Sequence, residues 1–208
     1  MTHTLNRTGL KSSDAGEEIV VLCMVQRKEK EEKATAMKRV ARTVLDHGPD
    51  NFIGAPLGFG EDDVVALSPQ TGVVTAVFTD EEKVSALLAA LAKLDLGISV
   101  VLSGLFTDVR RLCAQNELTE HTFHTSLGIF GKTDRLPDEK VLEITTQCGH
   151  SLISPQLVRH LVRRIRKGKT TSAEAARVLL KPCACGIMNP RRIESILDQI
   201  VEDHPADI

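Results

Sequence analysis

The chain has 208 residues, of which 42% are hydrophobic and 26% charged, with a formal net charge of -2. Such a balance describes a globular domain that needs no staples, with no electrostatic bias toward nucleic acid and no apolar run near the roughly 20 residues of a membrane span. Trp and Tyr are absent, which removes the usual stacking surfaces for single-stranded nucleic acid, and five cysteines without an export signal predict a reducing cytoplasm rather than a disulfide framework.

Residues 1–18 are polar and read as a disordered lead-in. From Ile19 to Val25 the chain is continuously apolar and β-branched at its start, the pattern of a short buried strand in which Cys23 is a core residue. Between Lys28 and His47, Ala34, Met37, Val40, Ala41, Val44 and Leu45 recur at helical spacing, and Gly48-Pro49 ends that helix. Residues 51–60 fit no single period. Val64–Leu67 and Val73–Phe78 read as a hairpin around Ser68-Pro69-Gln70-Thr71-Gly72. Thr79 is placed to cap a helix reaching Leu94, with Glu82 completing a capping box. A strand over Ile98–Leu102 follows, then a helix over Leu105–Gln115, then a half-exposed strand over His121–Phe130.

Beyond Pro137 the pattern turns helical. Ser154-Pro155, Thr171-Ser172 and Asn189-Pro190 each pair a capping residue with a helix start, and two of them put proline at the first helical position. The expected fold is therefore α/β, with α+β as its variant. A mixed sheet with flanking helices spans 19–136, and a helical subdomain over 137–208 carries the cysteines.

Cys148-Gly149-His150 and Cys183-Ala184-Cys185-Gly186 both lie in loops that feed helix starts, where unpaired N–H groups and the helix dipole favour thiolates. The glycines leave room for main-chain amides to approach sulfur. Cys148 and Cys183 are separated by 34 residues and Cys183 and Cys185 by one, which matches neither standard zinc spacing nor the four-cysteine ferredoxin runs. Three cysteines with an open fourth position predict a 4Fe–4S cluster on Cys148, Cys183 and Cys185. His150, a distant residue or a substrate would take the remaining iron. The alternative is a structural zinc held by the same three cysteines and His150, and three unlinked thiols is the bland reading.

An open iron acts as a Lewis acid. If the chain is an enzyme, its substrate binds there, in a pocket between the α/β and helical parts, and His150 or Glu143 transfers protons. The expected function is a cytoplasmic iron–sulfur protein of anaerobic metabolism, serving catalysis or electron or sulfur delivery. Its partners are a small anionic substrate or a redox protein, with neither nucleic acid nor membrane. The competing class is a zinc-stabilised module for a small ligand or protein, or an accessory subunit. His121 and His124 would fall on opposite faces of their strand, and Arg159, Arg163, Arg164, Arg166, Lys167 and Lys169 read as a solvated basic helix face.

Overall fold

The structure is a computed structural model that describes residues 7–10 and 18–203. Most of the predicted lead-in lies outside the described residues. The chain divides into two compact units. Among the described residues, one comprises 10, 18–123 and 184–187, and the other 7–9, 124–183 and 188–203. Residues 124–136 thus cluster with the helices rather than with the sheet, and the chain re-enters the sheet unit for four residues directly after Cys183.

The sheet unit contains strands β1 (Ile19–Met24), β2 (Asn51–Phe52), β3 (Val73–Phe78) and β4 (Ser99–Ser103), with helices α1 (Ala34–Asp46), α2 (Glu61–Thr71), α3 (Glu81–Leu94) and α4 (Phe106–Gln115). Strand order is β2-β3-β1-β4 and every pairing is antiparallel, with Val21 opposite Ala76 on one side and Leu102 on the other. The sheet is antiparallel throughout rather than mixed, which makes this the α+β form of the expected class, in the split β-α-β connection pattern with α2 inserted. One face of β1 and β3 (Ile19, Val21, Cys23, Val74, Ala76, Phe78) packs with Met37, Val40 and Val44 of α1 and Val84, Leu87 and Leu91 of α3 in a single core. The alternate residues Val20, Leu22, Thr75 and Val77 are buried too, which explains why these strands read as continuous apolar runs.

Three expectations for this unit are overturned. Val64–Leu67 is not a hairpin strand but the middle of α2, whose first turn holds Glu61, Asp62 and Asp63 against the helix dipole; Asp63 accepts the Gly60 N–H at 2.9 Å. Pro69 lies inside this helix. It has no N–H for the carbonyl of Val65, and the Ser68 hydroxyl donates to that carbonyl instead at 2.9 Å. Thr79 is not the cap of α3 either. Asp80 caps it by accepting from the Glu82 and Lys83 N–H groups, while the Thr79 N–H and hydroxyl donate to Asp50. The helix predicted from Lys28 begins at Ala34; Arg27–Glu29 forms a separate 3-10 turn, and Lys30 and Lys33 donate to the carbonyls of Gln70 and Gly97.

No strand forms over His121–Phe130. The alternation there finds no partner strand, and Phe123, Leu127 and Phe130 are exposed.

The helical unit is built from α5 (Glu139–Thr145), α6 (Pro155–Arg166), α7 (Ser172–Leu180) and α8 (Pro190–Asp203). Ser154 caps α6, and Thr171 with Glu174 forms a capping box on α7, as the spacing predicts. Asn189 Oδ1 accepts from the Arg191 and Arg192 N–H groups to cap α8. The apolar stripes Val158–Leu161–Val162, Ala175–Ala176–Leu179 and Ile193–Ile196–Leu197–Ile200 are buried where these helices pack together. Fully burying one such leucine or isoleucine stabilises by about 1.5–3 kcal/mol, so these stripes hold the unit together. Among the described residues no helix is long and apolar enough to cross a membrane.

Candidate metal centre

Cys148 follows α5 and Cys183 follows α7, and both thiols are buried in the helical unit. They are hydrogen-bonded to each other. Cys148 Sγ also receives the main-chain N–H groups of His150 and Leu152, the amide approach that the Cys-Gly-His sequence predicts. The turn that aims them is tight. Ser151 donates its N–H to the Cys148 carbonyl at 3.0 Å and takes a left-handed φ of 56°.

Electrostatically the loop departs from expectation. Cys148 is not depressed but pushed well above its ordinary thiol value of about 9, first by its bond to Cys183 and then by burial; the two N–H groups offset only part of this. Without a ligand, Cys148 keeps its proton.

Gln147, the residue before Cys148, is fully buried, and its Oε1 accepts the N–H of Asn189 at 3.0 Å. This joins the Cys148 loop to the start of α8. The main chain of the same loop is held from the N-terminus, because Arg7 donates to the Gln147 carbonyl at 2.9 Å and the Thr8 N–H to Thr146 Oγ1 at 3.1 Å. Neither Gln147 nor the amide of Asn189 stood out as a site residue in the sequence. The available signal was a polar side chain inside the stretch from Ile144 to Cys148, which helix packing buries.

Glu143 is buried in α5, five residues before Cys148. Its carboxylate pairs with Lys140 at 3.4 Å and Arg192 at 3.6 Å, and Gly9 packs directly against it with a φ of 72°. A Cβ on Gly9 would overlap that carboxylate where it lies, and the left-handed φ favours glycine at this position. Arg192 also donates to the Thr8 carbonyl at 2.6 Å. The ring of His150 is exposed, and what the residue brings to Cys148 is its main-chain N–H.

Cys185 is half-buried in the sheet unit. Its carbonyl accepts the Thr75 hydroxyl at 2.5 Å, and the preceding Ala184 carbonyl accepts the Gly54 N–H at 2.9 Å. Gly186 sits at φ 62° with Phe52 so close that an added Cβ would lie 1.9 Å from its carbonyl oxygen. The glycine after Cys185 therefore admits the β2 backbone. Cys23 packs in the sheet core with its thiol pushed up to about 12 by burial, and Cys113 lies on α4 with its thiol raised by burial and by Glu120.

Of the predicted ligand set, the helical unit thus brings together Cys148 and Cys183. Among the described residues, no group of three or more His, Cys, Asp or Glu side chains stands in a metal-holding arrangement. With His121–Phe130 irregular, His121 and His124 share no strand; both are exposed. Part of the basic stripe is used internally: Arg159 pairs with Asp138 at 3.1 Å and Arg166 donates to the Ile200 carbonyl. A groove of about 650 Å³ beside α3 and α4 is lined by Glu81, Ser85, Arg111 and Asn116 among others, and no candidate residue lines it. No protein-family model, curated protein or solved structure matches the chain.

Proposed function

We propose that this is a cytoplasmic iron–sulfur protein in which Cys148, Cys183 and Cys185 hold a 4Fe–4S cluster that serves catalysis or electron or sulfur delivery. The observation that carries this reading is the buried Cys148–Cys183 thiol pair, with two main-chain N–H groups directed at one of its sulfurs. Two adjacent thiols that lose their protons together become a soft, doubly anionic ligand pair, and N–H donors to sulfur are what tunes such a centre. Cys185 follows Cys183 after a single residue, so their Cα atoms lie within about 7 Å of each other as a matter of chain geometry. All five cysteines are free thiols, in keeping with a reducing compartment.

When bound, the cluster supplies electron transfer and, at an iron without a cysteine, Lewis acidity. The chain's own residues do the rest. Cys148 and Cys183 supply sulfur from a dry site, and the turn at Ser151 holds the His150 and Leu152 amides in place. Glu143, tied to Lys140 and Arg192, keeps the N-terminal residues 7–9 against the loop that precedes Cys148. Reconstitution of the full chain with ferrous iron and sulfide tests this. Cys148→Ala, Cys183→Ala and Cys185→Ala should each lose cluster absorbance, whereas Cys23→Ala should load like wild type. Equal loading in all four would refute the assignment.

A further inference from the structure

The two buried thiols of the helical unit already touch. Cys148 and Cys183 are both free, are 2% and 0% exposed, and are hydrogen-bonded to each other through their side chains. Each main chain is tied down just past its helix: the Cys148 N–H donates to the Thr145 carbonyl at 3.3 Å and the Cys183 N–H to the Leu180 carbonyl at 2.9 Å. A pair whose sulfurs are in contact needs little backbone movement to bond covalently, which is the condition that most cysteine pairs fail. The cover over this pair is thin on the Cys148 side. The turn whose His150 and Leu152 N–H groups reach Cys148 Sγ is itself exposed at His150, Ser151 and Leu152, and Ser151 holds a left-handed φ of 56°. Exposed, strained turns open locally at far lower free energy than packed helices, so a small oxidant has a way to the sulfur.

We propose that Cys148 and Cys183 are a redox-active dithiol that closes to a reversible disulfide when a hydroperoxide reaches it. In the first step the O–O bond of hydrogen peroxide breaks, one thiol becomes a sulfenic acid and water leaves. The neighbouring thiol then attacks that sulfur, the S–S bond forms, and a second water carries off the hydroxyl and the remaining thiol proton. Two electrons pass from the sulfur pair to the peroxide, and a small-molecule dithiol returns them. The contact between the thiols governs the second step. The resolving thiol is in place before the first oxidation, so the sulfenic acid is trapped ahead of the irreversible sulfinic stage. Disulfides that form in reducing compartments are typically transient and serve sensing or catalysis. This inference stands on the thiol pair alone and needs no metal; on the cluster reading, closing the pair withdraws two of the three ligands.

The more exposed thiols, Cys113 and Cys185, compete for oxidant, so the test uses metal-free full-length wild type together with the double variant Cys113→Ala/Cys185→Ala, which keeps the pair and Cys23. Both are treated with hydrogen peroxide, their remaining thiols are alkylated in denaturant, and the products are mapped by peptide mass. Melting temperatures are read before and after oxidation. The expected result in both proteins is one intramolecular disulfide joining the Cys148 and Cys183 peptides, with two thiols lost from the pair and recovered on treatment with a dithiol. The oxidised protein should melt no lower than the reduced one, because a bond between sulfurs already in contact closes a long loop without distorting the fold. In Cys183→Ala, Cys148 should instead accumulate as sulfenic and then sulfinic acid. A disulfide joining Cys183 to Cys185, a disulfide between chains, or over-oxidation of Cys148 while Cys183 is present would each overturn the inference. So would a melting temperature lowered by oxidation, which would mean that native packing rejects the bond. Each of these outcomes leaves the cluster reading to the reconstitution of the reduced protein.

Discussion

A thiol buried against a second thiol gains from its proton, and that sets the pH behaviour of the unloaded chain. Cys148 is raised above its unfolded value of about 9 by Cys183 and by burial, and Cys23 is pushed up to about 12 by burial alone. For a group raised on folding, the contribution to stability is whole below the unfolded pKa and disappears as pH climbs from there through the folded value. Denaturant unfolding of the metal-free protein should therefore show constant stability from pH 6 to 8. Above about pH 9 it should decline, approaching about 1.4 kcal/mol per pH unit for each raised thiol. Cys148→Ala should flatten the decline, and an identical slope in that variant would contradict the assignment. Gly186 tests a different residue-level constraint. Its left-handed φ and its contact with Phe52 predict that Gly186→Ala costs about 3 kcal/mol, measured by the same unfolding experiment.

At the scale of elements, capping chemistry was the most legible signal. Ser154, Thr171 and Asn189 each precede a helix as read from the sequence, because N-cap geometry depends on a few adjacent residues. Strands β1, β3 and β4 were equally legible as β-branched apolar runs. The failures have physical causes. Four apolar residues in a row, Val64 to Leu67, fit a strand or a helix, and the arbiter was the acidic first turn upstream together with a Ser68 hydroxyl that compensates for Pro69. Helix α5, with seven residues, is too short to display a period and rests on the packing of Val141 and Ile144. Alternation over His121–Phe130 had no neighbouring strand to receive it. The turn after Cys148 carries a testable strain: Ser151 holds a left-handed φ, so Ser151→Gly should raise the unfolding free energy by about 1 kcal/mol without altering metal uptake. A loss of stability would mean that the serine side chain, rather than the backbone, holds the turn.

For the whole molecule, the sequence identifies which residue types could make a centre, and packing decides which of them meet. Cys148 and Cys183 are 35 positions apart in sequence and hydrogen-bonded in space, a pairing that spacing alone does not disclose. The tie between Gln147 Oε1 and the Asn189 N–H was hidden for the same reason, since packing brings these two loops together. Loading should also reverse the pH preference described above. Ligand thiols must lose protons to bind metal, so uptake should release the Cys148 proton and weaken as pH falls, as a pH-stat titration with ferrous iron and sulfide would record. The account's central claim is the identity of the bound group, and it is tested most directly by anaerobic purification followed by a visible spectrum with iron, sulfide and zinc quantified per chain. Brown protein with about four iron and four sulfide is the predicted result; colourless protein holding about one zinc, or no metal after reconstitution, would contradict it.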